Sequence, residues 1–346
     1  MATVDKVVKY GSLGLLGAIA SCTLVKTLYE LTRRPRNNFH LRTITDLSPE
    51  EFKYIVHLAV KVKAYPWLYR SAFKDKTLLM LFEKVSLRTR VSFETGCTQM
   101  GGHAIMYDIK GSPLGKKETY EDTAKVLSRY ADIIMARVMT KESIDGLADN
   151  ASIPVINALD DWAHPCQMLA DFQTILEKRG SLSGIVMAYY GDCCNNVTYD
   201  LMRATSMLGG EIRVVCPKMD KYLPVEDVLK ECAQINAKTG GKVVVVHDRL
   251  EGARGANVIY TDSWLSYHIS EAEEKERLAD LDPYRVSSDI MAVSSADSIF
   301  MHCLPAKRGW EVAADVIDGP KSVVFDEAEN RLHGQKAYMI WLMDRC

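Results

Sequence analysis

Leu81-Phe-Glu-Lys-Val-Ser86-Leu-Arg88-Thr89-Arg90-Val-Ser-Phe-Glu-Thr95 reads as the end of a strand, a loop and the start of a helix. Thr77 to Phe82 is an apolar run of strand length, Glu83 to Leu87 interrupts it, and from Arg88 onward apolar residues recur at helical spacing. A loop that empties into a helix N-terminus makes an anion site. The first backbone N–H groups of the helix lack intrahelical partners and lie at the positive end of its dipole. Ser86 and Thr89 add hydroxyls, and Arg88 and Arg90 add guanidinium groups suited to bidentate contact with phosphate oxygens. The plainer reading of the same residues is a solvated basic helix start with a serine cap.

Outward from this stretch, strand and helix alternate. Ser48-Pro-Glu-Glu51 is a capping box before a helix with Phe52, Ile55, Val56, Ala59 and Val62 on one face. After Gly101-Gly102 come strands at 103–107, 131–137 and 154–158, with helices at 119–130 and 141–148 between them. A long helix over 164–178 leads to a second series, with strands at 185–190, 212–216, 242–247, 257–260 and 298–302. The expected fold is α/β, two doubly wound parallel-sheet domains joined by long helices. Residues 37–163 form the first domain and 164–326 the second, while a C-terminal helix over 327–346 packs back on the first.

The chain of 346 residues is 47% hydrophobic and 25% charged, enough for two cores. A formal net charge of −2 leaves no basic excess for nucleic acid, so the expected partner is a small molecule. The nine cysteines lack zinc-ribbon spacing or a disulfide framework, which fits free thiols in a reducing compartment. Residues 1–36 stand apart. An uncharged run from Tyr10 to Val25, flanked by Lys6, Lys9, Lys26 and Arg33, reads as an organellar presequence, a short membrane anchor or a secretory signal. The basic excess favours the first two. A presequence would place the protein in the mitochondrial matrix; otherwise it is cytoplasmic, with possible membrane contact through residues 10–31.

Ligands of such sheets sit at the carboxyl ends of strands, and several polar clusters fall there. Arg137 ends a buried strand and needs an anion or a neighbouring acid. His164-Pro-Cys-Gln167 opens a helix, so the imidazole and the amide can turn to one ligand, or His164 can serve as a cap. Gly191-Asp192-Cys-Cys-Asn195-Asn196 follows a strand without a dinucleotide glycine fingerprint, and offers Asp192 and Asn196 to a small substrate. Asp262 and Ser266 stand one helical turn apart after another strand. His302 and Cys303 end the last strand, where the thiol is either reactive or inert and buried. Adjacent positions lack the usual gap between metal ligands, and no metal site is expected.

Together, Phe82 to Arg90, Gly102-His103, Ala136-Arg137, His164-Pro-Cys-Gln167, Gly191 to Asn196, Asp262-Ser-Trp-Leu-Ser266, His302-Cys303-Leu304-Pro305 and Glu327-Ala-Glu-Asn-Arg331 resemble the ornithine carbamoyltransferases, in order and spacing, from about Phe39 to the C-terminus. The resemblance implies transfer of a carbamoyl group from carbamoyl phosphate to the side-chain amine of ornithine, by a homotrimer with sites between subunits and no cofactor. It implies that Ser86, Leu87 (through its backbone), Arg88 and Thr89 hold the phosphate. Arg137, His164 and Gln167 would hold and polarise the carbamoyl end, with Cys303, Leu304 and Arg331 closing the pocket and His103 arriving from a neighbouring subunit. Asn196, Asp262, Ser266 and Tyr267 would hold ornithine, and His302 and Cys303 are the candidates to assist the attacking amine.

Three departures stand out: Leu87 where Thr is frequent, a 191–196 loop one residue longer than the common form, and Tyr267-His268 where Met-Gly is usual. They leave open another amine, such as putrescine or an N-acylated ornithine, and a catalytically silent, membrane-held paralogue. A nicotinamide-linked dehydrogenase is disfavoured by the missing glycine fingerprint.

Overall fold

A computed structural model describes residues 40–84, 86–110, 117–265 and 271–344. The targeting or anchor segment, Ser266, Tyr267 and His268 lie outside the described residues. Among the described residues no helix is long and apolar enough to cross a membrane.

The first sheet holds β1 (Thr77–Phe82), β2 (His103–Asp108), β3 (Ile133–Arg137) and β4 (Val155–Leu159), all parallel in the order β2-β1-β3-β4. Helices α1 (Pro49–Ala64), α2 (Leu87–Gln99), α3 (Tyr120–Leu127) and α4 (Lys141–Ala148) accompany these strands. The Ser48 cap is as expected, with Glu51 N–H on Ser48 Oγ at 3.2 Å and Ser48 N–H on the Glu51 carboxylate at 2.8 Å. Helix α5 (Pro165–Arg179) crosses to the second sheet, whose strands β5 (Val186–Tyr190), β6 (Glu211–Val215), β7 (Lys242–Val246), β8 (Val258–Thr261) and β9 (Ile299–Met301) run parallel in the order β7-β6-β5-β8-β9. Between them lie α6 (Asn196–Met207), α7 (Glu226–Thr239), α8 (Arg249–Ala253), α9 (Glu271–Leu281) and α10 (Ser288–Val293), followed by α11 (Ala314–Ile317).

Strand periodicity sorts each sheet's side chains between two cores. Leu78, Met80 and Phe82 point into one continuous core that also takes Phe52, Phe172, Met187, Tyr189 and Tyr338. Leu79 and Leu81 point into a separate core under α3 and α4. Ala188 and Tyr190 face a third core on the far side of the second sheet. The last helix, α12 (Val324–Met343), packs along α5, α1 and α2. It begins a turn earlier than the motif at Glu327 suggested, so Glu327 and Arg331 sit inside the helix, one turn apart, on its buried side.

The topology places the chemistry. In the first sheet strand order reverses between β1 and β3, and in the second between β5 and β8. A crevice opens outside the carboxyl ends of the strands at such a switch point. The loop before α2, Arg137, the 191–195 loop and Asp262 all lie at these points.

Candidate active site

At the first switch point Ser86 caps α2 from an extended conformation, its Oγ 3.4 Å from Thr89 N. Leu87 turns its side chain to solvent, 75% exposed, which leaves only its backbone for the cradle. Thr89 points inward, and its hydroxyl is where two guanidinium groups converge. Arg137 Nη1 from the end of β3 lies 3.3 Å from Thr89 Oγ1, and Arg331 Nη2 from α12 lies 3.4 Å from it. Arg331 Nη1 also donates to Gln167 Oε1 at 2.8 Å. Arg137, Arg331 and Gln167 are all buried. Two buried guanidinium charges side by side are costly without an anion between them.

His164 stands at the same place. Its backbone N–H donates to Asp200 Oδ2 at 2.8 Å, while its buried Nδ1 has no partner. Burial, followed by the charges of Arg331 and Arg137, holds the imidazole well below its ordinary pKa, so it is neutral. A buried, neutral and unpartnered ring nitrogen beside two arginines is a hydrogen-bonding position for a polar ligand. Beneath it, Arg203 pairs with Asp200 at 3.1 Å and Glu231 at 2.8 Å and lies 5.2 Å from the Trp162 ring centroid, fixing the segment between β4 and α5 that carries His164.

At the second switch point Cys303 donates to Asp262 Oδ1 at 3.0 Å. Burial and then the Asp262 carboxylate raise the thiol pKa well above its usual range, so Cys303 stays protonated. His302, expected to help accept a proton from the amine, is placed otherwise. Its Nδ1 accepts from Leu304 N–H at 2.9 Å and its Nε2 lies 3.3 Å from Glu311 Oε1. Both ring nitrogens are engaged, so His302 shapes the turn, in which Leu304 adopts a φ of 57°. Asp262, His302 and Cys303 each bring a potential ligand atom within 4.8 Å of the others. These hydrogen bonds account for the cluster.

Asn196 donates its side-chain N–H to the backbone carbonyl of Asp160, while its neighbour Asn195 caps α6 through Thr198 N–H at 2.9 Å and reaches Tyr189 Oη at 2.9 Å. Asp192, offered by the sequence to a substrate, is committed to an ion pair with Arg277 and to Cys194 N–H. Gly191 has a φ of +116°, and a Cβ there would lie 2.7 Å from Trp264 Nε1, so only glycine lets the loop pass. His103 is not brought to this site. It begins β2 opposite Thr77, at the amino end of the sheet, whereas the cradle lies beyond Phe82 at the carboxyl end.

Residues 40–177 match the family described as aspartate/ornithine carbamoyltransferase, carbamoyl-P binding domain, and residues 183–342 match its Asp/Orn binding domain. The chain belongs to the aspartate/ornithine carbamoyltransferase family. A relative named ornithine carbamoyltransferase from Parafrankia sp. is 45% identical over 308 residues, 88% of this chain and 96% of that protein. The structure of ornithine transcarbamoylase from Giardia lamblia superposes with a TM-score of 0.83 at 46% identity, covering 90% of this chain and 100% of the other. That of ornithine carbamoyltransferase from Pyrococcus furiosus gives 0.82 at 44% identity, covering 88% and 96%. Both switch points therefore fall within the matched domains of this carbamoyltransferase family, the first in the carbamoyl-P half and the second in the Asp/Orn half.

Buried residues that the motifs did not single out lie behind these groups and support them: Asp171, Asp200, Arg203, Tyr260 and Glu311. Asp171 carried one signal, a carboxylate on the apolar face of an otherwise buried helix.

Proposed function

We propose that this chain transfers the carbamoyl group of carbamoyl phosphate to the side-chain amine of L-ornithine, giving L-citrulline and phosphate. The observation that carries the reading is the convergence of Arg137, Arg331 and the unpartnered His164 Nδ1 beside Thr89, at the mouth of the α2 cradle. The α2 N-terminus, Ser86, Arg88 and Thr89 hold the phosphate. Arg137 and His164 donate to the carbamoyl oxygen, where negative charge develops as the amine attacks. Gln167 and the backbone of Leu304 face the carbamoyl nitrogen. Asp262 pairs with the α-ammonium of ornithine, with Asn196, Ser266 and Tyr267 completing that side.

The amine must be neutral to attack. With an ordinary pKa near 10.4, deprotonation at pH 7 costs about 4–5 kcal/mol, which a dry site lowers. The sulfur of Cys303, its proton directed at Asp262, accepts an N–H from the incoming amine and orients the nitrogen lone pair toward the carbonyl carbon. As the C–N bond forms and the C–O bond to phosphate breaks, one amine proton leaves to the departing phosphate oxygen or to water.

The relatives are named for ornithine, and the site keeps Arg88, Arg137, His164, Gln167, Cys303 and Arg331; putrescine, N-acylated ornithine and a silent paralogue gain no support. The test is citrulline formation by the purified protein with carbamoyl phosphate and a panel of ornithine, lysine, putrescine and N-acetylornithine. Ornithine ranks first; a higher kcat/KM for either of the last two overturns the assignment.

A trimer is part of the same reading. Strand β2 is a sheet edge with exposed Ile105 and Tyr107, and Leu87 and Val91 are exposed on the neighbouring helix. Buried against a neighbour, this face closes the edge and brings His103 to the neighbouring subunit's cradle. Inactive His103→Ala and Cys303→Ala proteins then recover activity on mixing. Residues 1–36 are read as an address or anchor dispensable for turnover, tested by a chain beginning near residue 37 in which activity is kept and localisation lost.

A further inference from the structure

Behind the two guanidinium groups lie two carboxylates with no cation among the described residues in hydrogen-bonding contact. Asp171 on α5 and Glu327 on α12 are fully buried. Gln167 Nε2 donates to Asp171 Oδ1 at 2.8 Å and to Glu327 Oε1 at 3.1 Å, using both its hydrogens. Glu327 Oε2 accepts the His302 backbone N–H at 2.9 Å. The phenol of Tyr260, from β8, lies 3.3 Å from Asp171 Oδ2 and 3.1 Å from Glu327 Oε1.

The count of hydrogens decides the charge. Tyr260 Oη carries one proton and can donate to one of the two oxygens it touches. Its other contact sets lone pair against lone pair in a dry interior unless that carboxyl is itself protonated and donates to the phenol. The two carboxyls are also in direct hydrogen-bonding contact with each other, which two ionised groups could not make; one proton on the pair satisfies both that contact and the phenol, with Tyr260 donating to whichever carboxyl is ionised. Moving the proton from one carboxyl to the other leaves the net charge unchanged.

We propose that Asp171 and Glu327 share one proton beside the Tyr260 hydroxyl, and that this acid pair is the positioning device which fixes the Gln167 amide and the His302–Leu304 turn for the carbamoyl group. With its N–H groups directed to the carboxyls, Gln167 turns its carbonyl oxygen to Arg331 and the pocket. With Oε2 on His302 N–H, the same carboxyl anchors the turn that carries Cys303 and Leu304. One helix residue thus ties the carbamoyl side of the site to the amine side. The other ionisable groups around the pair are Arg331, Cys303 and Asp262, with Cys166 and Arg88 beyond Arg331. Burial pushes both carboxyls upward, and the charge of Asp171 raises Glu327 further, which agrees with a retained proton.

The two carboxyls differ in what can replace them. In Asp171→Asn, the amide oxygen accepts from Gln167 and its NH2 donates to Tyr260, so the variant copies the protonated pair. In Glu327→Gln, whichever way the amide turns, an NH2 meets either Gln167 Nε2 or the His302 N–H. The inference rests on the carbamoyl-transfer reading, but its decisive measurement needs no turnover. An infrared difference spectrum at pH 7 between the unmodified protein and D171N should show a protonated carboxyl C=O stretch lost in the variant. Carbamoyl phosphate KM should stay within about threefold in D171N and rise at least tenfold in D171A and E327Q, with kcat for E327Q falling as well. Absence of the carboxyl band from the difference spectrum, or D171A matching D171N in KM, overturns the proposal. A protein that shows the band but forms no citrulline fails the functional reading and leaves the acid pair standing.

Discussion

The Cys303 thiol donates to Asp262 Oδ1 across 3.0 Å, joining the ends of β9 and β8. A thiol held this way by a carboxylate, in a partly buried position, is a poor thiolate and a good hydrogen-bond partner.

The first prediction concerns its reactivity. Iodoacetamide should label Cys303 slowly at neutral pH, with the rate still rising above pH 9, because burial and Asp262 disfavour the thiolate. Asp262→Asn removes the negative charge and should move that rise to lower pH while reducing kcat/KM for ornithine. Fast labelling of the unmodified protein at pH 7 contradicts this account.

Arg331 supports a second prediction. Arg331→Lys keeps the charge but cannot reach Gln167 and Thr89 together, as the guanidinium fork does. Losing one charge-assisted hydrogen bond costs about 1.5–3 kcal/mol, so carbamoyl phosphate kcat/KM should fall about ten- to a hundredfold. Arg137→Ala should lose more, since it removes the charge beside the carbamoyl oxygen. Near-normal values for either variant refute the cradle.

The third prediction is a pH dependence of stability. His40 Nδ1 accepts Val155 N–H at 3.1 Å, a bond only the neutral ring can make. Burial, then Arg42, lowers its pKa from 6.5 to about 4. A depressed folded-state pKa means the unfolded chain binds the proton first. The contribution is therefore complete above pH 6.5 and is lost as pH falls toward 4. The Tm gap between the unmodified protein and His40→Asn should narrow over that window. A gap that is flat or widens on acidification refutes it.

Gly191 gives the fourth. A methyl at this residue meets Trp264 Nε1 at 2.7 Å and forces an L side chain to a φ of +116°. Gly191→Ala should raise KM for ornithine far more than KM for carbamoyl phosphate, because the displaced loop lies at the second switch point. Equal effects on both substrates would place the loop elsewhere in the mechanism.

Much of this was readable in the chain because the signals were local. Thr77–Phe82 is a strand with the predicted bounds, and the loop to Ser86 and Thr89 follows from period and capping alone. Arg137 stands where a strand ends and His164 where a helix opens, and both positions are marked in the sequence. Illegible were partners distant in sequence. Nothing near His302 announces Glu311 as its neighbour, and nothing near Asp192 announces Arg277, so a histidine expected to move protons turns out to hold a turn. Helix α9 also went unread, since its apolar stripe is thin and charged residues fill most of it.

Helix α12 delivers Arg331 and Glu327 to a site whose other parts come from upstream. During synthesis this has a consequence in time. A nascent chain can have completed both sheets, with Arg137, His164 and Cys303 already made, and still lack the guanidinium that joins Thr89 to Gln167. The cradle is finished only when the last helix leaves the ribosome. A chain stopped before Val324 therefore has every described strand of the fold and no competent grip on carbamoyl phosphate.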